Sequence, residues 1–196
     1  MPPVESESEF ADIISKIDMT FLGHVEGQGD QFGMFADIIY LSLGDEKTHQ
    51  RSSSESSLDS TVFELAGVWS PGVERNTGIE VFGGLRHIIV DLSVKLDPVD
   101  PLVPNVQVGF DQSFSDLMVG ARSQGSFNTK WGYSIRADGS YGDTDGTLST
   151  SAYVNYKTGN GAWVFGYRYM DAELKVKDAD LDLTLSGPAL GYKFTF

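Results

Sequence analysis

Four arginines, Arg86, Arg122, Arg136 and Arg168, lie in stretches where polar and apolar residues alternate, and each stands on the polar side of its stretch. The same side carries Glu26, Asp37, Glu64, Glu80, Asp116, Asp138 and Lys193. Side chains two apart on a strand share a face, so these charges collect on one surface of a sheet. Two chemistries follow. Enclosed charges must pair with opposite charges, because an isolated ion is costly to take out of water. Arranged around a lumen, the same charges would select solutes.

The other reactive residue types form weaker patterns. His24 stands beside Glu26 and Asp37, a combination suited to proton transfer, although the plainer expectation is that it joins the charged set. His24, His49 and His87 have no metal-ligand spacing. Ser149, Ser151 and Ser186 have neither a nearby His–Asp partner nor a nucleophile elbow, so no catalytic group and no cofactor are expected. Gly78, Gly83-Gly84, Gly120, Gly139, Gly166 and Gly191 are scattered along strands and read as bends or close approaches, not as a phosphate loop. The acidic segments Asp143-Thr144-Asp145 and Asp178-Ala179-Asp180 lack the spacing of a calcium loop and read as solvated loops rather than cation sites. The absence of cysteine excludes disulfides and thiolate metal sites. A net charge of -14 argues against a nucleic-acid partner.

The elements that must position these residues are nine strand-like stretches: 17–27, 31–43, 60–69, 78–96, 115–123, 130–141, 147–157, 162–174 and 182–196. They make one domain over 14–196, preceded by a polar arm, 1–13. Short turns are expected at 28–30, 70–72 and 158–161, the last a tight Thr-Gly-Asn-Gly hairpin. Longer connections are expected at 44–58, which is charged and Ser-rich, and at 97–112, which carries Pro98, Pro101 and Pro104 with room for a short β segment at 106–110. The acidic loops at 142–146 and 177–180 complete the set. Short and long connections thus alternate, as periplasmic turns and outer loops do in bacterial barrels.

A soluble sandwich would also turn a face of mixed charge to water, so the apolar face is the discriminator. It combines Phe21, Phe63, Leu65, Trp69, Leu85, Leu117, Trp163, Phe165 and Tyr167 with Gly and Ala, and places Tyr and Trp towards strand ends. Lipid-facing bands have this composition. No apolar run approaches the roughly 20 residues of a membrane helix, but a barrel strand needs only about 9–11 alternating residues, and a closed barrel leaves no bare edge. The expected fold is therefore all-β, an antiparallel up-and-down transmembrane β-barrel with nine strands visible and eight or ten in the complete barrel. Small barrels are filled by side chains, so the charges form an interior salt-bridge network, and a plugged or narrow channel is expected rather than a general porin.

Several segments resemble a family of small proteobacterial outer-membrane β-barrel proteins. They are Gly84-Leu85-Arg86 with Asp91-Leu92, the run from Phe32 to Leu41, Val119-Gly120-Ala121-Arg122, Gly166 to Asp171, and Ser186 to Gly191 before the aromatic end. The resemblance covers nearly the whole chain from about Ile14. It implies an OmpA-like or porin-like barrel in the bacterial outer membrane, without catalysis, whose partners are outer-membrane lipid, lipopolysaccharide and the barrel-assembly machinery. Leu190, Tyr192, Phe194 and Phe196, alternating to the end, resemble the assembly signal of such proteins. His87 departs from the family's usual aromatic and is expected at a rim. The first residues have no basic region and no apolar core, so they are not a signal peptide. Family members begin with a further amphipathic strand, and nine strands break the even count of bacterial barrels, so this chain is expected to lack its first strand. Two alternatives remain: an outer-membrane enzyme acting on lipid or lipopolysaccharide, using His49 or His87 at the rim, and a soluble lipocalin-like binding barrel.

Overall fold

The structure, a computed structural model, describes residues 17–49, 52–72, 77–98, 106–176 and 179–194. They form nine strands: β1 (Ile17–Gln28), β2 (Phe32–His49), β3 (Ser52–Trp69), β4 (Gly78–Pro98), β5 (Val106–Ser126), β6 (Trp131–Gly142), β7 (Gly146–Thr158), β8 (Gly161–Val176) and β9 (Ala179–Phe194). One sheet holds them in sequence order, each antiparallel to the next. The all-β, up-and-down class read from the alternation is therefore the observed one. The arm at 1–13, the segment 14–16 and Phe196 lie outside the described residues.

The expected boundaries need correction on the long-loop side. Most of the stretch 44–58 is strand rather than loop: β2 continues to His49 and β3 begins at Ser52. β5 begins at Val106, which converts the second half of 97–112 into strand, and Ala179-Asp180 opens β9. Charged and Ser-rich residues have low strand propensity, but that preference is weak and context-dependent, and a paired neighbour overrides it. The contrast between short and long connections largely disappears. It is replaced by a contrast in strand length, 18 to 21 residues for β2–β5 against 12 to 16 for β6–β9.

The chain divides into two compact units. One takes Met1–Gly23, Ile38–Val62 and Ile88–Ser113. Its described contacts include buried Val62, Ile88 and Val90 and a hydrogen bond of 3.1 Å from the Tyr40 hydroxyl to Asp59 Oδ1. The other takes His24–Asp37, Phe63–His87 and Phe114–Phe196 and holds the charged set.

Within this second unit, burial follows the alternation with inverted chemistry. Along β3, Glu64, Ala66 and Val68 are buried while Phe63, Leu65 and Trp69 are exposed. Along β4, Glu80, Phe82 and Arg86 are buried while Ile79, Val81 and Leu85 are exposed. β5 repeats the pattern, with Asp116, Met118 and Arg122 buried against Leu117 and Val119, which are 72 % and 69 % exposed. The buried side is called inward below. Gly84 keeps β3 and β4 close: a Cβ there would collide with the backbone of Leu65 and Ala66.

The three tryptophans stand near one end of the strands. Trp69 ends β3, Trp131 begins β6 and Trp163 is the third residue of β8, and all three are partly exposed. Trp131 packs on Tyr156 at 4.9 Å between ring centroids, and Trp163 on Tyr192 at 5.2 Å.

Candidate functional site

The charged residues meet on the inward side of the second unit, and several of their pairs reach across the sheet beyond the neighbouring strand. In a flat sheet β1 and β5 would lie about 19 Å apart, at ~4.8 Å per strand. Yet Arg122 Nη1 on β5 donates to Glu26 Oε2 on β1 at 2.8 Å. Arg136 on β6 reaches Asp37 on β2 at 2.9 Å, and Arg168 on β8 reaches Glu64 on β3 at 2.9 Å. The inward face of this unit is therefore concave, and its long side chains span the concavity.

At the centre lies Glu64, which accepts from three arginines. Arg86 Nε and Nη2 donate to its Oε1 at 3.0 and 2.8 Å, Arg168 Nη2 to the same oxygen, and Arg136 Nη2 to Oε2 at 2.7 Å. Arg86 is fully buried and pairs also with Asp138. Arg136 Nε binds the other oxygen of Asp138 at 2.8 Å. A guanidinium suits this place because its planar fork presents five donors and serves several carboxylates at once.

A register conflict explains why the pairs must cross. Arg122 and Arg136 are direct partners in the β5–β6 ladder, and like charges directly opposite repel. Each turns to acids elsewhere: Arg122 to Glu26 and Glu80, Arg136 to Asp37, Glu64 and Asp138. Two inward phenylalanines lie against these guanidiniums, Phe35 beside both and Phe82 beside Arg136. Arg136 lies 4.9 Å from the Phe35 ring centroid and 4.7 Å from that of Phe82, a stacked cation–π arrangement. Phe35, Phe82, Met118, Ala66 and Val68 form an apolar cluster on this otherwise charged side.

Two acids are held mainly or wholly by neutral donors. Glu80 accepts from Gln28 Nε2 and Ser70 Oγ, both at 2.6 Å, from Gln124 Nε2 at 2.9 Å, and from Arg122. Asp116 makes no ion pair among the described residues. It accepts from the Thr144 backbone N–H at 3.1 Å, the Thr144 hydroxyl at 2.5 Å and Ser140 Oγ at 2.9 Å. Ser140 also receives Arg86 Nη1 at 3.3 Å, which links Asp116 to the arginine cluster. Ser140, Gln28, Gln124, Ser70 and Thr144 were not singled out from sequence. For the first three the signal was available, since each sits two residues beyond a charged member on the same face.

His24 joins Asp37 and, at 3.2 Å, Glu26, so it belongs with the β1–β2 acids. Lys193 differs from the rest: it is exposed on β9 and makes no ion pair among the described residues. The acidic segment at 143–145 turns in part to structural work, with Asp143 Oδ2 accepting the Ser115 backbone N–H at 2.9 Å and Thr144 buried on Asp116. No cluster of His, Asp and Glu that could hold a metal occurs among the described residues. Ser149 and Ser151 are buried on β7, and Ser186 is exposed on β9. His87, on the apolar side of β4, bonds Ser115 Oγ through Nδ1 at 2.9 Å, with no acid on its other nitrogen among the described residues.

Leu190, Tyr192 and Phe194 line one side of β9 and are exposed there. Tyr192 packs on Phe194 at 4.8 Å, and its hydroxyl lies 3.0 Å from Thr158 Oγ1. No described helix is long and apolar enough to cross a membrane, a finding that does not bear on strands. Comparison of the chain with known protein families, with curated proteins and with solved structures returns no match.

Proposed function

We propose that this chain is a β-barrel protein of a bacterial outer membrane, structural in role, with an interior sealed by ion pairs rather than open as a wide pore. One observation carries the reading: the burial of charge and the exposure of apolar side chains on the same strands. Arg86 and Glu64 are 0 % and 2 % exposed while Leu117, Val119 and Val25 are 72 %, 69 % and 76 % exposed. A soluble lipocalin-like barrel requires the reverse, with apolar residues inside. In lipid the exposed apolar face costs nothing, and the buried charges are away from the hydrocarbon. The aromatic residues near the turn at 159–160 and beside Trp131 match the belt that forms at a membrane interface.

The direct test is fractionation. The full chain, expressed with an export signal in a Gram-negative host, is expected in the outer-membrane fraction and to require detergent for extraction. Recovery in the soluble fraction without detergent overturns the reading. Planar-bilayer recording then separates sealed from narrow-pore versions. The sealed interior gives no conductance, whereas steady conductance whose ion selectivity changes in Arg122→Glu identifies a charged pore.

A second reading, a lipid-modifying enzyme of the same membrane, has one observation in its favour: the Ser115–His87 hydrogen bond on the apolar side. The serine would be the nucleophile and the imidazole its base. Phospholipid hydrolysis that is lost in both Ser115→Ala and His87→Ala would establish it, and absence of hydrolysis by the unaltered protein removes it.

A further inference from the structure

At the tryptophan end of the second unit the ladders bring three lysines into one cross-strand row. Lys157 pairs with Ala162 in the β7–β8 ladder, and Ala162 with Lys193 in the β8–β9 ladder. Lys130 continues β6 by one step beyond Trp131: its carbonyl accepts the Lys157 N–H at 2.7 Å, which sets Lys130 directly opposite Lys157. All three lysines are exposed. They share the parity of the inward residues, since Trp131, Tyr156 and Tyr192, their neighbours in the chain, face outward.

Like charges directly opposite on a sheet repel, and this row has no counter-charge. None of the three lysines makes an ion pair among the described residues, and Lys157 Nζ has only Ser126 Oγ, at 3.4 Å. The next two rows inward on β5–β9 hold no acid, offering neutral groups such as Asn155, Ser126 and Gln124 instead. The arginines deeper in the unit meet Glu26 and Glu80 from β1 and β4. Beyond those acids come Gln28 and Ser70, which are neutral and already turned to Glu80. Asp30, in the turn after β1, is itself engaged. In a chain of net charge -14, a row of unbalanced cations is an anion site by its electrostatics.

The spacing narrows the anion. Lys157 and Lys193 are two strands apart, about 10 Å at ~4.8 Å per strand, with only the Ala162 methyl between them. A Cβ at Gly191, two residues before Lys193, would meet nothing within 4 Å, so the space beside the row is open. Three ammonium groups on flexible stems suit a group with several acceptor oxygens and more than one negative charge; phosphate is such a group, and lysine binds it as a point charge. A long polyanion would meet the chain's own negative field.

We propose that Lys130, Lys157 and Lys193 bind one phosphate group over Ala162, borne by a phospholipid headgroup or by a small soluble phosphate ester. The site goes beyond the membrane reading and does not require it. If the sheet does lie in a membrane, the aromatic neighbours of the lysines set the row at headgroup depth.

The test uses the full chain, labelled with 15N, in micelles of dodecyl maltoside, a detergent without phosphate, at low ionic strength. One arm titrates glycerol 3-phosphate and the other mixes dioleoylphosphatidylglycerol into the micelle; glycerol and dioleoylglycerol are the uncharged controls. The expected result is a saturable shift of the Lys157, Ala162 and Lys193 amides with a phosphate probe and not with its control. Response to glycerol 3-phosphate identifies a soluble ester as sufficient, and response to the phosphatidylglycerol arm alone identifies a lipid-borne group. Lys157→Gln and Lys193→Gln should each weaken binding about fivefold, the upper range for one exposed ion pair, while Lys193→Arg should retain it. Without phosphate, Lys157→Gln should leave the urea midpoint unchanged or raise it, because it relieves repulsion. No saturable shift in either arm, equal shifts with the uncharged controls, or binding undiminished in both glutamine variants overturns the proposal. So does a lowered midpoint in phosphate-free Lys157→Gln, which would show that the lysine already has a partner.

Discussion

The inward sides of β4 and β9 make opposite use of the same face. On β4, Arg86 and Glu80 are buried and each meets several partners drawn from other strands. On β9, the corresponding positions are Gly187, Ala189, Gly191 and Lys193, small residues and one exposed cation with no ion-pair partner among the described residues. The difference follows from place in the sheet. β4 has strands on both sides and its Arg86 reaches β6 beyond β5, whereas among the described residues β9 is bonded only to β8. A charge on this face is stabilised chiefly by what other strands bring to it, with Arg136–Asp138 and His24–Glu26 as the within-strand pairs.

That contrast predicts a graded series of effects. Arg86→Met should cost most, about 3–5 kcal/mol, because it leaves Glu64 and Asp138 buried with fewer cations; the urea midpoint of the folded protein in detergent measures it. An undisturbed midpoint would show that the central ion pairs are not what closes the interior. Gly84→Val comes next, since its side chain must displace the β3 backbone. A loss of about 1–3 kcal/mol is expected from such overpacking, read from the same titration. Asp116→Asn should cost about 1–2 kcal/mol by weakening charge-assisted bonds from Thr144 and Ser140. Its distinctive readout is faster amide exchange at Thr144, with the arginine cluster unaffected. Lys193→Ala should change stability by less than about 0.5 kcal/mol, as an unpaired surface substitution does. A loss comparable with that of Arg86→Met would erase the contrast between the two strands.

Much of this was legible in the sequence, and the part that was not has a common cause. The alternation Val62-Phe63-Glu64-Leu65-Ala66 states which residues share a face, because side-chain period two is a local property of a strand. Strand limits at 44–58 were misread because polar residues there become strand only through a neighbour, which is nonlocal information. Membership of the charged face could be read for Glu64 and Arg168, but not their contact, since 104 residues separate them. Phe35 shares parity with Asp37 and Phe82 with Glu80, which puts both rings on the charged side. Their part in holding Arg136 depends on β2, β4 and β6 converging, which no single stretch encodes. Lys193 was grouped with the network on parity as well; its side is right, but at the outermost strand parity supplies no partner.

Strand length has a consequence for reach. At about 3.3 Å per residue, β4 and β5, with 21 residues each, extend some 70 Å, whereas a bilayer's hydrocarbon is crossed by about 9–11 residues of tilted strand. The charged, Ser-rich residues 44–49 and 52–58 belong to paired strands, so a protease meets hydrogen-bonded backbone there rather than a loop.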